Sequence, residues 1–254
     1  MDLPKNCFKA RLKDGKAQIG IWSTLPDPSV VEAIAGAGFD WMVLDTEHAA
    51  VEVSQILPLL QAAAPYPTDC LVRPHVNDTA LIKRHLDQGA MTLLLPYIQS
   101  REEAEAAALA VRYPPRGVRG VAGTMRAARY GRVKDYAARA DAEVGLILQV
   151  ETALGLDRLE DIASVEGVDG IFIGPSDLAA SMGYPGQPGH PEVRKAVLSA
   201  IARLAALGVP SGLLTQDEGF ADETIAAGAA FVAVAVDMSV FVRGIDAVVA
   251  RLRR

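Results

Sequence analysis

Two acidic residues, Glu151 in LILQVET and Asp177 in IFIGPSD, each stand where a short apolar run ends. If those runs are parallel strands of one barrel, their carboxyl ends converge on a single mouth. Two carboxylates distant in sequence then come within reach of one divalent ion. Their hard oxygens, with no Cys or His nearby in sequence, suit Mg²⁺, Mn²⁺ or Co²⁺ better than zinc. Each acid alone has a second reading as a helix N-cap, because an apparent helix follows it. The same strand-end positions carry Asp45 with His48, then Arg73, then Gln149. An arginine at the tail of an apolar strand needs an anionic partner, which a structural salt bridge would provide. Beside a divalent ion it is also the group wanted where negative charge develops on oxygen. His48 follows Asp45 within DTEHAA, a spacing that lets a carboxylate orient an imidazole as a base. His75 competes for that role at the same mouth. His85, within a helical run, and His190, in a GHPE turn, are expected to be exposed or capping. Gly174-Pro175-Ser176-Asp177 opens a helix whose free N–H groups can hold a carboxylate.

The elements that must position these groups form an alternating series. Eight apolar runs, rich in β-branched residues, read as strands: 19–22, 41–45, 70–74, 91–96, 145–151, 170–177, 210–215 and 231–237. Each is continuous rather than alternating, as expected of parallel strands covered on both faces. Segments with helical spacing lie between them, and glycines at 36, 38, 89, 167, 208 and 228 fall where a helix closes before the next strand. A chain of 254 residues with eight βα units predicts a single closed (β/α)8 TIM barrel over residues 1–254. The longest irregular stretch, 113–132, is rich in arginine, with Arg116, Arg119, Arg126, Arg129 and Arg132 following Arg112. It reads either as an anion-binding lid or, preferably, as a solvated or subunit-facing loop.

Composition excludes several classes. A formal charge of −6 argues against general affinity for nucleic acid or an anionic membrane, so the expected partner is a small molecule. The charged first residues lack the apolar stretch of a secretion signal and no run is long enough to span a bilayer, which predicts a cytoplasmic location. Cys7 and Cys70 have neither metal-ligand spacing nor the number for a disulfide framework, and Cys70 reads as an apolar filler. Every lysine falls outside the strands, which disfavours a Schiff-base mechanism, and no GxSxG elbow is present.

The segments AGAGFDWMVLDTEHA, VRPHVND, RYPPRGVRGV, LILQVET and GVDGIFIGPSDLAASMGYPG together resemble the HpcH/HpaI aldolases, metal-dependent class II pyruvate aldolases, over nearly the whole chain. The resemblance implies that Glu151 and Asp177 bind a divalent metal chelated by pyruvate, and that Arg73 stabilises the enolate oxygen. It implies that His48, paired with Asp45, moves protons through a water, and that Gln149 lines the metal-side pocket. It further implies that the turn Gly174-Pro175-Ser176-Asp177 holds the pyruvate carboxylate, with Trp22 and Leu214 near the substrate channel. Similar proteins are hexamers, trimers of dimers that exchange the C-terminal helix, here roughly 239–254. Thr46, Ala50-Val51 and His75 depart from the pattern of known members and put the aldehyde acceptor in question rather than the reaction. The expected activity is reversible cleavage of 4-hydroxy-2-oxo acids to pyruvate, or hydroxypyruvate, and an aldehyde. Two rivals are a metal-enolate lyase acting on a thioester, for which the 113–132 loop is the candidate nucleotide contact, and a catalytically silent binding barrel.

Overall fold

Each of the eight apolar runs forms a strand: β1 (Gln18–Ser23), β2 (Trp41–Asp45), β3 (Asp69–Arg73), β4 (Thr92–Leu95), β5 (Gly145–Val150), β6 (Gly170–Ile173), β7 (Ser211–Leu214) and β8 (Phe231–Val236). The computed structural model describes residues 1–253, and in it the strands pair in parallel in chain order, β8 returning to β1 to close a barrel. Closure leaves no free edge, so every strand can be apolar on both faces without exposing a pairing template. The register sets Asp45 beside Arg73 on neighbouring strands.

Helices follow the strands in the βα order expected. They are α1 (Cys7–Arg11), α2 (Pro28–Ala35), α3 (Val53–Ala63), α4 (Thr79–Asp87), α5 (Arg101–Ala110), α6 (Tyr136–Arg139), α7 (Ala153–Asp157), α8 (Leu159–Ala163), α9 (Pro175–Ser181), α10 (Pro191–Ala206), α11 (Glu218–Ala226) and α12 (Asp237–Leu252). Short polar side chains begin many of them: Asp27, Asp78, Ser100, Thr152 and Asp217 accept N–H bonds from their own first turns. The helix-closing glycines at 38, 89, 167, 208 and 228 all have positive φ, whereas Gly36 is right-handed at φ −81°.

The floor of the barrel is aromatic. Phe8, carried by α1, is fully buried and meets the rings of Trp41 and Phe231 at 5.8 and 5.5 Å. The segment before β1 is therefore a plug, held by Asn6 Nδ2 donating to Met91 O and Thr92 Oγ1 and by Arg11 paired with Asp69 at 2.8 Å. His85 departs from expectation. It lies on the inner face of α4, one turn from Ile82 and beside Leu86, and is fully buried. Burial pushes its imidazole down to about 4, so it sits there neutral, as the lower cost of burying an uncharged ring requires. His190 caps α10 as expected.

The arginine-rich stretch joins α5 to β5 and so returns the chain to the amino end of a strand, opposite the mouth. It therefore does not cover the strand-end acids of its own chain. Arg119 is drawn inside, 3.0 Å from Asp87 and 4.5 Å above the Tyr113 ring, while Arg116 reaches Asp141 at 2.8 Å from an exposed position. At the other extreme of the chain α12 presents exposed apolar side chains, among them Val240, Phe241, Ile245 and Val248. Arg254, the end of the expected C-terminal helix, lies outside the described residues. Among the described residues no helix is long and apolar enough to cross a membrane.

Candidate active site

Parallel strands deliver their last side chains to one end, and here Glu47 and Asp237 join Asp45, Glu151 and Asp177 at that end. Their hydrogen-bond partners separate them by task. Asp237, at the start of α12, is buried and accepts from Ser23 Oγ, from the N–H groups of Thr24, Leu25 and Met238, and from Thr24 Oγ1. Its oxygens clamp the end of β1 to the start of the last helix. Asp45 is also buried and its oxygens are engaged: Arg73 donates Nε to Oδ1 at 2.8 Å and Nη2 to Oδ2 at 2.6 Å, and Trp22 Nε1 and the Glu47 N–H add two more bonds. Burial alone would raise the Asp45 carboxyl; the bonds and charge of Arg73 outweigh it and hold the group below its ordinary range.

This fork fixes Arg73, whose guanidinium carbon also lies 4.9 Å from the Trp22 ring centre. Its third nitrogen, Nη1, stands 2.8 Å from Glu47 Oε2, close enough for an ion pair but out of line for a hydrogen bond. The Glu47 carboxyl is raised by burial, which outweighs the opposing charges of Arg73 and His48.

Glu151 contrasts with Asp45. It is 2% exposed, and its oxygens accept only from the Tyr97 N–H, at 2.8 Å, and from Gln149 Nε2. Burial, reinforced by the charges of Glu47 and Asp177, pushes its carboxyl up to about 7 against those two hydrogen bonds. A Cβ at position 174 would come 2.7 Å from Glu151 Oε2, so only glycine leaves this carboxylate its place. Asp177 lies in the first turn of α9, exposed to the cavity, and caps nothing; the N-cap there is Gly174 and that of α7 is Thr152. The capping alternative therefore falls for both acids.

Trp22, His48, Arg73, Gln149, Glu151, Gly174, Pro175, Ser176, Asp177 and Leu214 all line one cavity of about 410 Å³ at the mouth, with Asp45 behind Arg73. One expected arrangement is absent: His48 is not oriented by Asp45. Its Nε2 lies 3.9 Å from Glu47 Oε1, and the side chain is 64% exposed. The reason is that Arg73, Trp22 and a backbone N–H already occupy both Asp45 oxygens. His75 is exposed and does not line the cavity.

Three contributors escaped sequence reasoning. Glu47 had a signal, since it stands between Asp45 and His48 in the same motif. Tyr97 had none, because its role is a backbone N–H presented at a positive φ of 58°. Arg194, far away on α10, joins Thr215, Gln216, Asp217 and Phe220 in the outer wall; it pairs with Asp217 at 3.0 Å and Glu223 at 3.3 Å.

The donor set fits a hard divalent cation. A buried carboxylate with no basic partner, a second one in the same cavity, and a buried Gln149 Oε1 without a hydrogen-bond partner offer oxygen atoms, while the imidazole of His48 stands at the rim beside Glu47. Among the described residues no three His, Cys, Asp or Glu side chains form a metal cluster.

The sequence profile of the HpcH/HpaI aldolase/citrate lyase family matches residues 18–244. The chain is 56% identical over 251 residues to a pyruvate aldolase of Rhizobium etli, covering 99% of each chain. It is 54% identical over 237 residues to a hydroxypyruvate/pyruvate aldolase of Sagittula stellata, covering 93% and 94%. A crystal structure of an HpcH/HpaI aldolase/citrate lyase family protein from Burkholderia cenocepacia superposes with a TM-score of 0.94 at 38% identity, covering 98% of this chain and 100% of the other. With nearly its whole length matched in sequence and in fold, this chain belongs to the HpcH/HpaI aldolase/citrate lyase family and is an aldolase, a carbon–carbon lyase.

Proposed function

We propose that the chain, as a single barrel domain over residues 1–254, catalyses reversible cleavage of 4-hydroxy-2-oxo acids to pyruvate or hydroxypyruvate and an aldehyde. The observation that carries this is the buried carboxylate of Glu151, which has no basic partner and shares its cavity with Asp177 and a rigidly held Arg73. Glu151 and Asp177 would hold Mg²⁺, Mn²⁺ or Co²⁺. When bound, the ion supplies Lewis-acid stabilisation of the charge that grows on the keto oxygen as the carbon–carbon bond breaks.

The remaining work falls to the chain. Arg73, locked by its two bonds to Asp45, presents a fixed positive charge toward that same oxygen, and a preorganised donor needs no reorientation during reaction. The first-turn N–H groups of Ser176 and Asp177 suit the substrate carboxylate, because the turn at Gly174-Pro175 leaves them without helical acceptors. Gln149 keeps Glu151 in place through Nε2. His48, at the rim, takes or returns the hydroxyl proton at Nε2, with Glu47 rather than Asp45 as its acidic neighbour. Trp22 and Leu214 give the channel an apolar side. The thioester rival loses its support, since the arginines that would contact a nucleotide belong to a connection at the strands' amino ends.

Assembly as a trimer of dimers with exchanged C-terminal helices is part of this reading. Its support is the exposed apolar side chains of α12, Val240, Phe241, Ile245 and Val248 among them, which a neighbouring subunit would cover. The test of the activity is direct. Chelation should abolish pyruvate release from a 4-hydroxy-2-oxo acid, and Mn²⁺, Mg²⁺ or Co²⁺ should restore it. Full turnover in excess chelator overturns the reading. Solvent deuterium should also enter the methyl group of pyruvate in the wild type and do so about 10²-fold more slowly in Arg73→Ala.

A further inference from the structure

A second cavity, of about 250 Å³, lies at the opposite pole of the barrel between the N-terminal segment, the end of α3 and the 3-10 turn Arg126–Ala128. Its charges do not balance. The two acids in its wall are already engaged: Asp69 by Arg11 at 2.8 Å and Glu143 by Lys5 at 2.6 Å and by the Asn6 N–H. Arg126 and Arg129 also line it, and neither has a carboxylate partner among the described residues. Arg126 is half-buried and donates Nη1 to Gln88 O at 2.9 Å and Nη2 to Leu60 O at 3.4 Å, which leaves part of its five-donor fork facing the cavity. A half-buried guanidinium held only by neutral carbonyls is an incomplete pair.

The chain makes room for this group. Gly89, at φ 98°, lies where a Cβ would approach Arg126 Nη1 to 2.5 Å. Burial, and then the neighbouring charge of Arg129, lower the Arg126 pKa, as expected of a cation that lacks its counter-charge. The rest of the lining is largely apolar, with Leu3, Leu60, Ala63, Met91 and Val144, and the ring of Tyr136. Cys70 also faces it, but burial pushes its thiol up to about 12, so no thiolate chemistry is available.

We propose that this cavity, about one barrel length from the active site, binds a small monocarboxylate with an apolar body. The carboxylate meets Arg126 and Arg129, and the body lies between Leu60 and the N-terminal segment. A single negative charge is favoured over phosphate. The carbonyls that Arg126 holds belong to the carboxyl ends of α3 and α4, whose dipoles oppose a dianion. The site goes beyond the aldolase reaction and does not depend on it.

Benzoate and inorganic phosphate serve as probes, titrated calorimetrically into the intact enzyme at low and moderate salt. Saturable benzoate binding is expected, stronger at low salt, with phosphate weaker. Arg126→Met should weaken it about tenfold or more, the factor for losing a charge-assisted contact. Ala64→Phe, which fills the cavity from the exposed end of α3 and leaves every charge in place, should do the same and guards against misfolding of the arginine variant. Asp177→Asn, at the other pole, should bind benzoate like the wild type. Absence of saturable binding in the wild type overturns the proposal, as does tighter binding of phosphate. Unchanged affinity in either folded variant, or loss of binding in Asp177→Asn, overturns it equally.

Discussion

The two ends of this barrel are built from the same strands yet solve opposite problems. At the amino ends, Phe8 is driven between Trp41 and Phe231, and Asn6 and Arg11 tie the plug to the strand starts, so the groups of the plug itself are apolar or paired. At the carboxyl ends, Glu151 is equally buried but has no basic partner, and Gly174 is kept free of a side chain beside it. The plug is satisfied by its own chain, whereas the Glu151 carboxylate is given no counter-charge by it. The difference teaches that burial marks neither stability nor function by itself, and that the state of the partner decides which is meant.

The largest test of this contrast is Glu151→Gln. Turnover should fall about 10³-fold or more, because a carboxylate that holds a Lewis acid is worth several kcal/mol in the transition state. Stability should move the other way. The folded carboxyl titrates at about 7 against an ordinary 4.5, so the metal-free wild type loses stability as pH rises between those values. In the variant that slope should vanish, as melting curves in chelator from pH 4 to 8 would reveal. A variant that keeps the slope breaks the comparison. At the other pole, Phe8→Ala should lower unfolding free energy by about 3–5 kcal/mol while leaving turnover within about twofold of wild type at temperatures where it is folded. Denaturant titration paired with an activity assay checks both halves, and lost turnover in a folded protein would mean that the ends are coupled.

His85 sharpens the point from the helical layer. Its folded pKa of about 4 lies below the ordinary 6.5, so the unfolded chain binds the proton first. The stability contributed by the neutral ring is whole above pH 6.5 and drains away as pH falls toward 4, by about 3 kcal/mol. His85→Leu should flatten that acid limb without altering pyruvate release at neutral pH. The smallest effect is expected at His48. With 64% of its side chain exposed and Asp45 committed to Arg73, His48→Ala should slow carbon–carbon cleavage about 10²-fold, at the low end for general acid–base groups. Inhibition by pyruvate should be little changed in that variant. A loss as large as that of Glu151→Gln would restore an oriented base at the mouth.

Much of the frame was legible in the residues. The eight apolar runs became the eight strands, and five helix-closing glycines took positive φ, because continuous hydrophobicity and glycine punctuation are local properties. Local spacing misled where partners came from elsewhere. Asp45 and His48 lie three residues apart, yet Asp45 is claimed by Arg73 and Trp22, which only the closed sheet brings to it. His85 looked like one more residue of a helix until the packing of α4 showed which face turned inward. The arginine run left two readings open, a lid and the preferred solvated or subunit-facing loop, because its charge was visible and its end of the barrel was not.

The sequence by itself determined which apolar runs become strands and which acids follow their carboxyl ends, although the sixth run, read as 170–177, stops as a strand at Ile173 and passes into α9. Only the tertiary structure decided which of those acids remained open. Asp45 and Asp237 are consumed by donors from distant segments, while Glu151 and Asp177 keep oxygens for a ligand. The physical reason is that a side chain's position along a strand is set by a two-residue period. Its hydrogen-bond partners are set by closure, which joins residues the chain order holds apart.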